Sequence, residues 1–192
     1  MRAATSDAIV LLAGGSALRF PGKLERETGG RPMILRVFER VREYGSPVYV
    51  AGKSSFSPQV DAQLEAPLLV DRAPAQGPLS AFLGACAAIR AQRLFAIAAD
   101  QPQLECRVLD ELSASWQPGD EAVVPEHDGR LEPLAALYDR YAVLREGLEL
   151  RRRGRTAMRD LLARLRVRAL PADGRYFINV NREDDLAGMV TA

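Results

Sequence analysis

The stretch that most constrains this chain is Ile9 to Lys23, IVLLAGGSALRFPGK. A run of branched apolar residues (Ile9, Val10, Leu11, Leu12) stops at Gly14-Gly15 and gives way to a polar loop carrying Arg19, Gly22 and Lys23. The pattern predicts a buried strand emptying into a glycine loop. Glycines there allow positive φ and bring backbone N–H groups close to a ligand, the usual way of cradling phosphate oxygens. Taken alone, the Gly-Gly pair suits a plain turn equally well. Two familiar motifs are excluded: Ala17 stands where G-x-x-x-x-G-K-[ST] needs its first glycine and Leu24 follows the lysine, and G-x-G-x-x-G does not occur.

Composition sharpens the reading of Lys23. Of 26 basic residues only Lys23 and Lys53 are lysines, so the general solvated positive charge is carried by arginine. A lysine in the glycine loop therefore reads as a point charge for phosphate, where arginine would offer a broad planar fork.

With 192 residues, 47% hydrophobic and 27% charged, the chain is long and apolar enough for one domain with a substantial core. A net charge of +1 and 6% aromatic residues argue against a dedicated nucleic-acid binder and favour a small ligand. Cys86 and Cys106 are too few for a disulfide framework or a thiolate metal site. No signal peptide or membrane-length apolar run is evident, so a cytoplasmic protein with reduced thiols and no membrane partner is expected. His127 is the only histidine. That removes histidine-cluster metal sites and leaves carboxylates as ligands for any divalent ion.

Periodicity predicts helices over Arg31 to Tyr44, with Pro32 in the first turn, and over Gly77 to Arg90, with Gly84 and alanines allowing close approach to a sheet. Further helices are predicted at Val60 to Leu64, Glu105 to Ser115, Tyr141 to Arg152 and Thr156 to Arg164, and after Glu183. Strands are predicted at Pro47 to Ala51, Leu68 to Val70, Arg93 to Ala99, Ala122 to Pro125, Leu134 to Tyr138 and Val167 to Leu170. Asp128-Gly129 is a turn signal, and His127 beside it reads as a loop residue rather than a catalyst. Alternating strands and helices imply βαβ units and a mostly parallel sheet, which binds ligands outside the carboxyl ends of its strands. The glycine loop, Asp71 and Asp100 each follow such an end and are expected to converge. Between Arg140 and Arg168 lie ten arginines. Most read as a solvated face, with Arg152, Arg153 and Arg155 around Gly154 as the group able to grip an anion.

Six segments occur here in one order: LAGGSALRFPGK from Leu12, GRPMILRV from Gly30, QGPLSA from Gln76, DQP from Asp100, EPLAALY from Glu132 and FINVNREDDL from Phe177. Over essentially the whole chain this resembles the molybdenum cofactor guanylyltransferase family. The resemblance implies a three-layer α/β/α Rossmann-like nucleotidyltransferase that moves GMP from Mg-GTP onto molybdopterin. The N-terminal half would take the nucleotide and the C-terminal half the acceptor. By position, Leu12, Ala13, Gly14, Gly15, Gly77 and Asp71 would meet the guanine nucleotide. Lys23 and Arg19 would act on its phosphates, Asp100 would hold Mg²⁺, and Arg155, Asn179 and Asn181 would face the pterin acceptor. Molybdoenzyme maturation proteins would be possible partners. Two departures stand out: the stretch between Arg19 and Lys23 is shorter than the family pattern, and Ala51 stands where relatives carry asparagine. Competing readings are a CTP-dependent or other related nucleotidyltransferase and a non-catalytic module that binds nucleotide or cofactor. A nucleotide-sugar glycosyltransferase is disfavoured, because Asp100-Gln101-Pro102 lacks a second carboxylate two residues on.

Overall fold

The first predicted strand is β1, Asp7–Leu12, and all its residues are buried. It sits in the middle of the sheet because both of its faces are apolar. The computed structural model describes residues 7–14, 22–70, 77–180 and 185. Around β1 the chain lays down α1 (Met33–Arg42), β2 (Val48–Ala51), α2 (Pro58–Asp61), β3 (Leu68–Leu69), α3 (Pro78–Ala88) and β4 (Arg93–Ala98). It continues with α4 (Cys106–Ala114), β5 (Ala122–His127), β6 (Arg130–Leu131), β7 (Ala135–Asp139), α5 (Arg140–Arg152), α6 (Met158–Leu162) and β8 (Val167–Pro171).

These strands form one sheet in the order β3-β2-β1-β4-β7-β5-β6, with β8 on β5. The half β3-β2-β1-β4 is parallel, as βαβ connections require. Strand β7 runs antiparallel to both β4 and β5, while β8 is parallel to β5. The reversal starts at the predicted turn, where Asp128 (φ 48°) and Gly129 (φ 71°) both take left-handed backbone and pair His127 with Arg130.

Alternate residues of the strands feed two cores. Ile9, Leu11, Val50, Phe95, Ile97 and Leu137 pack with α1 and α4 on one face. Ala8, Val10, Leu12, Leu94, Ala96 and Tyr138 pack with α3, α5 and α6 on the other. Helices on both faces of a sheet make the expected α/β/α sandwich. Away from the strand carboxyl ends, buried Asp7 receives Arg93 Nε at 2.7 Å and Tyr44 OH at 3.0 Å, which ties the start of β1 to the start of β4.

Four expectations are corrected. Pro32 precedes α1 rather than entering its first turn, because Glu27 and Pro32 form a bridge that keeps this segment extended. Gly84 is exposed, with nothing near a Cβ placed on it. The close approach belongs to Gly147 of α5, where a Cβ would come 2.7 Å from Leu83 Cδ2. His127 is the last residue of β5, not a loop residue; its Nε2 lies 2.8 Å from Glu132 Oε1 and its ring stacks on Phe177. The short helix expected from Val60 begins at Pro58, whose fixed φ suits a first helical position. The helix expected after Glu183 lies outside the described residues apart from Asp185.

Candidate active site

The carboxyl ends of β1, β2 and β4 open on the same edge of the sheet, and each ends in a residue that matters there. After β1, Ala13 N–H donates to Ala51 O at 2.9 Å and the chain reaches Gly14. Gly14 lies against Gly52, which follows β2 with φ 90°. A Cβ on Gly52 would stand 2.8 Å from Gly14 N, so these two turns touch through bare backbone.

Gly22, at φ 69°, opens a single 3-10 turn over Lys23–Glu25. Lys23 leaves that turn toward the end of β4, where its Nζ donates to Asp100 Oδ2 at 2.5 Å. Nζ also lies 3.4 Å from Val180 O, and Val180 N–H donates to Asp100 O at 3.0 Å. Both side chains are partly accessible, Lys23 at 28% and Asp100 at 19%. A cation and a carboxylate are thus held together on an open strand end, within reach of a ligand.

Glu25 fixes the rest of the loop. Its carboxylate accepts from Lys53 Nζ and from Ser57 N–H, each at 2.9 Å. Burial alone would raise its pKa, but these hydrogen bonds and the lysine charge outweigh burial and hold it below the ordinary value. Lys53 Nζ also lies over the Phe56 ring, 4.1 Å from its centroid. Sequence reasoning missed Glu25 and Lys53. The signal was present, since the rarity that marks Lys23 marks Lys53 equally.

On the other face, Gly77 (φ 89°) leads into α3 and packs against the segment after Gly154. A Cβ there would meet Thr156 O at 2.9 Å, and Leu79 N–H donates to that same oxygen at 3.3 Å. Gly77 and Arg155 are therefore brought close through Thr156. The guanidinium of Arg155 is engaged by Asp160, with Nε to Oδ2 at 3.0 Å and Nη2 to Oδ1 at 2.7 Å. Arg152 and Arg153 both pair with Glu149. Asn179 is exposed beside buried Val180. Leu12 is buried at the end of β1 and Ala13 is half-buried. Arg19, Gly15, Asp71 and Asn181 lie outside the described residues.

Residues 9–169 match the family described as MobA-like NTP transferase domain. The chain belongs to this family. Among its relatives, a protein of Opitutus terrae named probable molybdenum cofactor guanylyltransferase is 32% identical, covering 91% of this chain and 90% of its own length. One of the same name from Bacillus licheniformis is 29% identical over 92% of this chain and 93% of the relative. In three dimensions the chain is similar to molybdopterin-guanine dinucleotide biosynthesis protein A of Archaeoglobus fulgidus, with a TM-score of 0.78 and 23% identity. That match covers 95% of this chain and 96% of the solved one. This MobA-like chain is a nucleotidyltransferase enzyme, and the edge carrying Lys23 and Asp100 is its candidate active site. Among the described residues no helix is long and apolar enough to cross a membrane.

Proposed function

We propose that this enzyme transfers GMP from GTP to the phosphate of molybdopterin, with the N-terminal half holding the nucleotide and the C-terminal half the acceptor. The observation that carries the proposal is the contact of Lys23 Nζ with Asp100 Oδ2 on one strand edge, a cation of the kind suited to phosphate beside a carboxylate of the kind suited to Mg²⁺. Relatives spanning nine-tenths of the chain are named for guanylyl transfer, and this favours GTP over CTP.

The donor set suits Mg²⁺. Among the described residues no group of three or more histidine, cysteine or carboxylate side chains could hold a metal by itself. Mg²⁺ does not require one, since it keeps several waters and takes substrate phosphate oxygens beside one or two carboxylates. Asp100 would be the protein ligand. Bound there with the nucleotide, the ion would neutralise charge on the phosphates.

The remaining chemistry belongs to the chain. An acceptor phosphate oxygen attacks the α-phosphorus of GTP, a new P–O bond forms, and the α–β bridging bond breaks. Pyrophosphate departs with the bonding electron pair. The attacking oxygen is already anionic, so no histidine or other general base is needed. Lys23, released from Asp100 when the nucleotide arrives, stabilises charge building on the phosphates, and the Gly14 N–H, the first past the Ala13 sheet bond, helps to orient them. Gly77 admits the backbone of the Thr156 segment, whose neighbour Arg155 would face the acceptor from one side, and Asn179, beside Val180, would face it from the Asp100 side.

Calorimetric titration with GTP, CTP and ATP in the presence of Mg²⁺, followed by a radiolabel transfer assay with molybdopterin, tests the proposal. GTP is expected to bind preferentially and to yield pyrophosphate and the dinucleotide product. Preference for CTP would reassign the nucleotide, and nucleotide binding without transfer would mark a non-catalytic module.

A further inference from the structure

A cavity of about 290 Å³ lies on the α1 and α4 side of the molecule, beside the edge that pairs Lys23 with Asp100 but lined by other residues. Its walls come from α1 (Arg36, Arg40), the loop after β4 (Pro102, Gln103) and the 3-10 turn Gly174–Phe177 (Arg175, Tyr176). That volume suits a single small group and is below the space a whole dinucleotide needs.

The charges around the cavity do not balance. Arg36 and Arg40 are one helical turn apart, an arrangement that destabilises a helix when the charges are alike. Neither pairs with a carboxylate among the described residues. Instead Arg36 Nη1 donates to Thr28 O at 2.9 Å, and Arg40 Nη1 reaches Leu104 O at 3.4 Å. The carboxylate between them on α1, Glu39, is taken by Arg31. Glu105, the one acidic residue in the wall among the described residues, pairs with Arg107 at 3.2 Å. Arg175 is partly neutralised by Asp173 at 3.1 Å and donates to Tyr176 OH at 2.6 Å. Thr28 also lines the cavity, and its buried hydroxyl has no partner among the described residues. Two half-buried guanidiniums thus face one concavity with most of their N–H donors uncommitted and, among the described residues, no carboxylate bonded to either.

We propose that this cavity is a second binding site, for a tetrahedral oxyanion of the phosphate type, gripped by Arg36 and Arg40 with Arg175 at the rim. Guanidinium forks match two oxygens of such an anion at once, and the bond is charge-assisted. The site is distinct from the proposed nucleotide edge, so the proposal does not depend on which nucleotide is the substrate. The cavity borders that edge: Pro102 follows Asp100 by two residues, and the turn bearing Arg175 runs on to Val180, which bonds the Asp100 backbone.

The test is a titration of the ¹⁵N-labelled full chain with inorganic phosphate and, separately, glycerol phosphate, in Mg²⁺-free buffer. Saturable shifts are expected at the amides of Thr28, Gln103 and Tyr176. Arg40→Gln and Arg36→Gln should each weaken the response about tenfold, with melting curves close to wild type, because each loses a charge-assisted contact but keeps a polar side chain. Lys23→Ala should leave the response at these three amides intact. A stronger response to glycerol phosphate would mark an ester as the ligand, and a stronger response to phosphate the free anion. Absence of saturable shifts at these amides, or unchanged affinity in both glutamine variants, overturns the proposal and leaves the arginines as caps on two carbonyls.

Discussion

Gly52 rests on Gly14 backbone to backbone, with room for no side-chain atom between the turns that end β1 and β2. Gly52→Ala would set a Cβ 2.8 Å from Gly14 N and force a side chain onto a residue at φ 90°. Neither neighbour can yield, since both contacts are backbone. The variant should lose about 2 kcal/mol or more of stability and bind nucleotide more weakly than Gly84→Ala, whose Cβ meets nothing. Thermal melts and nucleotide titrations of the two variants make the comparison.

Asp100→Asn keeps shape and hydrogen bonding but removes the charge a hard cation needs. Turnover should fall roughly a hundredfold or more, while metal-free GTP binds at least as well because Lys23 is no longer held by a carboxylate. Activity measured against Mg²⁺ concentration decides the matter. An unchanged Mg²⁺ dependence would put the metal on another carboxylate, Asp71 being the first to try.

Glu25 gives the loop a pH dependence of known sign. Its folded pKa is lowered from 4.5, so its contribution is fully present above that value and is lost as pH falls through the depressed folded value. Glu25→Gln should therefore cost about 1 kcal/mol near neutrality, discounted for partial exposure, and should flatten the acid limb of stability that wild type shows. Chemical denaturation of both proteins between neutral pH and pH of about 3 would show the two curves converging under acid.

Arg155 is held by Asp160, so an acceptor phosphate bound there as proposed would have to compete with that carboxylate. Asp160→Asn should tighten molybdopterin binding several-fold, Arg155→Ala should weaken it, and GTP affinity should stay near wild type in both. Anaerobic binding measurements with each ligand separate these effects. Wild-type acceptor affinity in both variants would place the acceptor elsewhere.

Much of this arrangement could be read from the chain because apolar runs end where polar chemistry begins. IVLL before Gly14 and RLFAIAA before Asp100 mark strand ends directly, and parallel neighbours bring such ends to one edge. The direction of β7 could not be read that way, since LAALY has the same pattern whichever way it runs. Partners far apart in sequence were equally hidden: nothing local links Lys23 to Asp100 or Glu25 to Ser57. Glycines misled for a related reason. Gly84 and Gly147 look alike in sequence, and only the packing of α3 on α5 decides which one needs to lack a side chain.

The hold of Val180 on Lys23 and Asp100 spans 157 residues of chain between Lys23 and Val180. During synthesis the strands that carry the glycine turn and Asp100 emerge long before that clasp. The portion carrying β1 to β4 is therefore made while the lysine and the aspartate still lack the Val180 carbonyl and N–H that bond them. Closing so long a loop is slow compared with forming helices and neighbouring strands. Competence to handle nucleotide should thus arrive as a late, separate step, after most of the secondary structure is already in place.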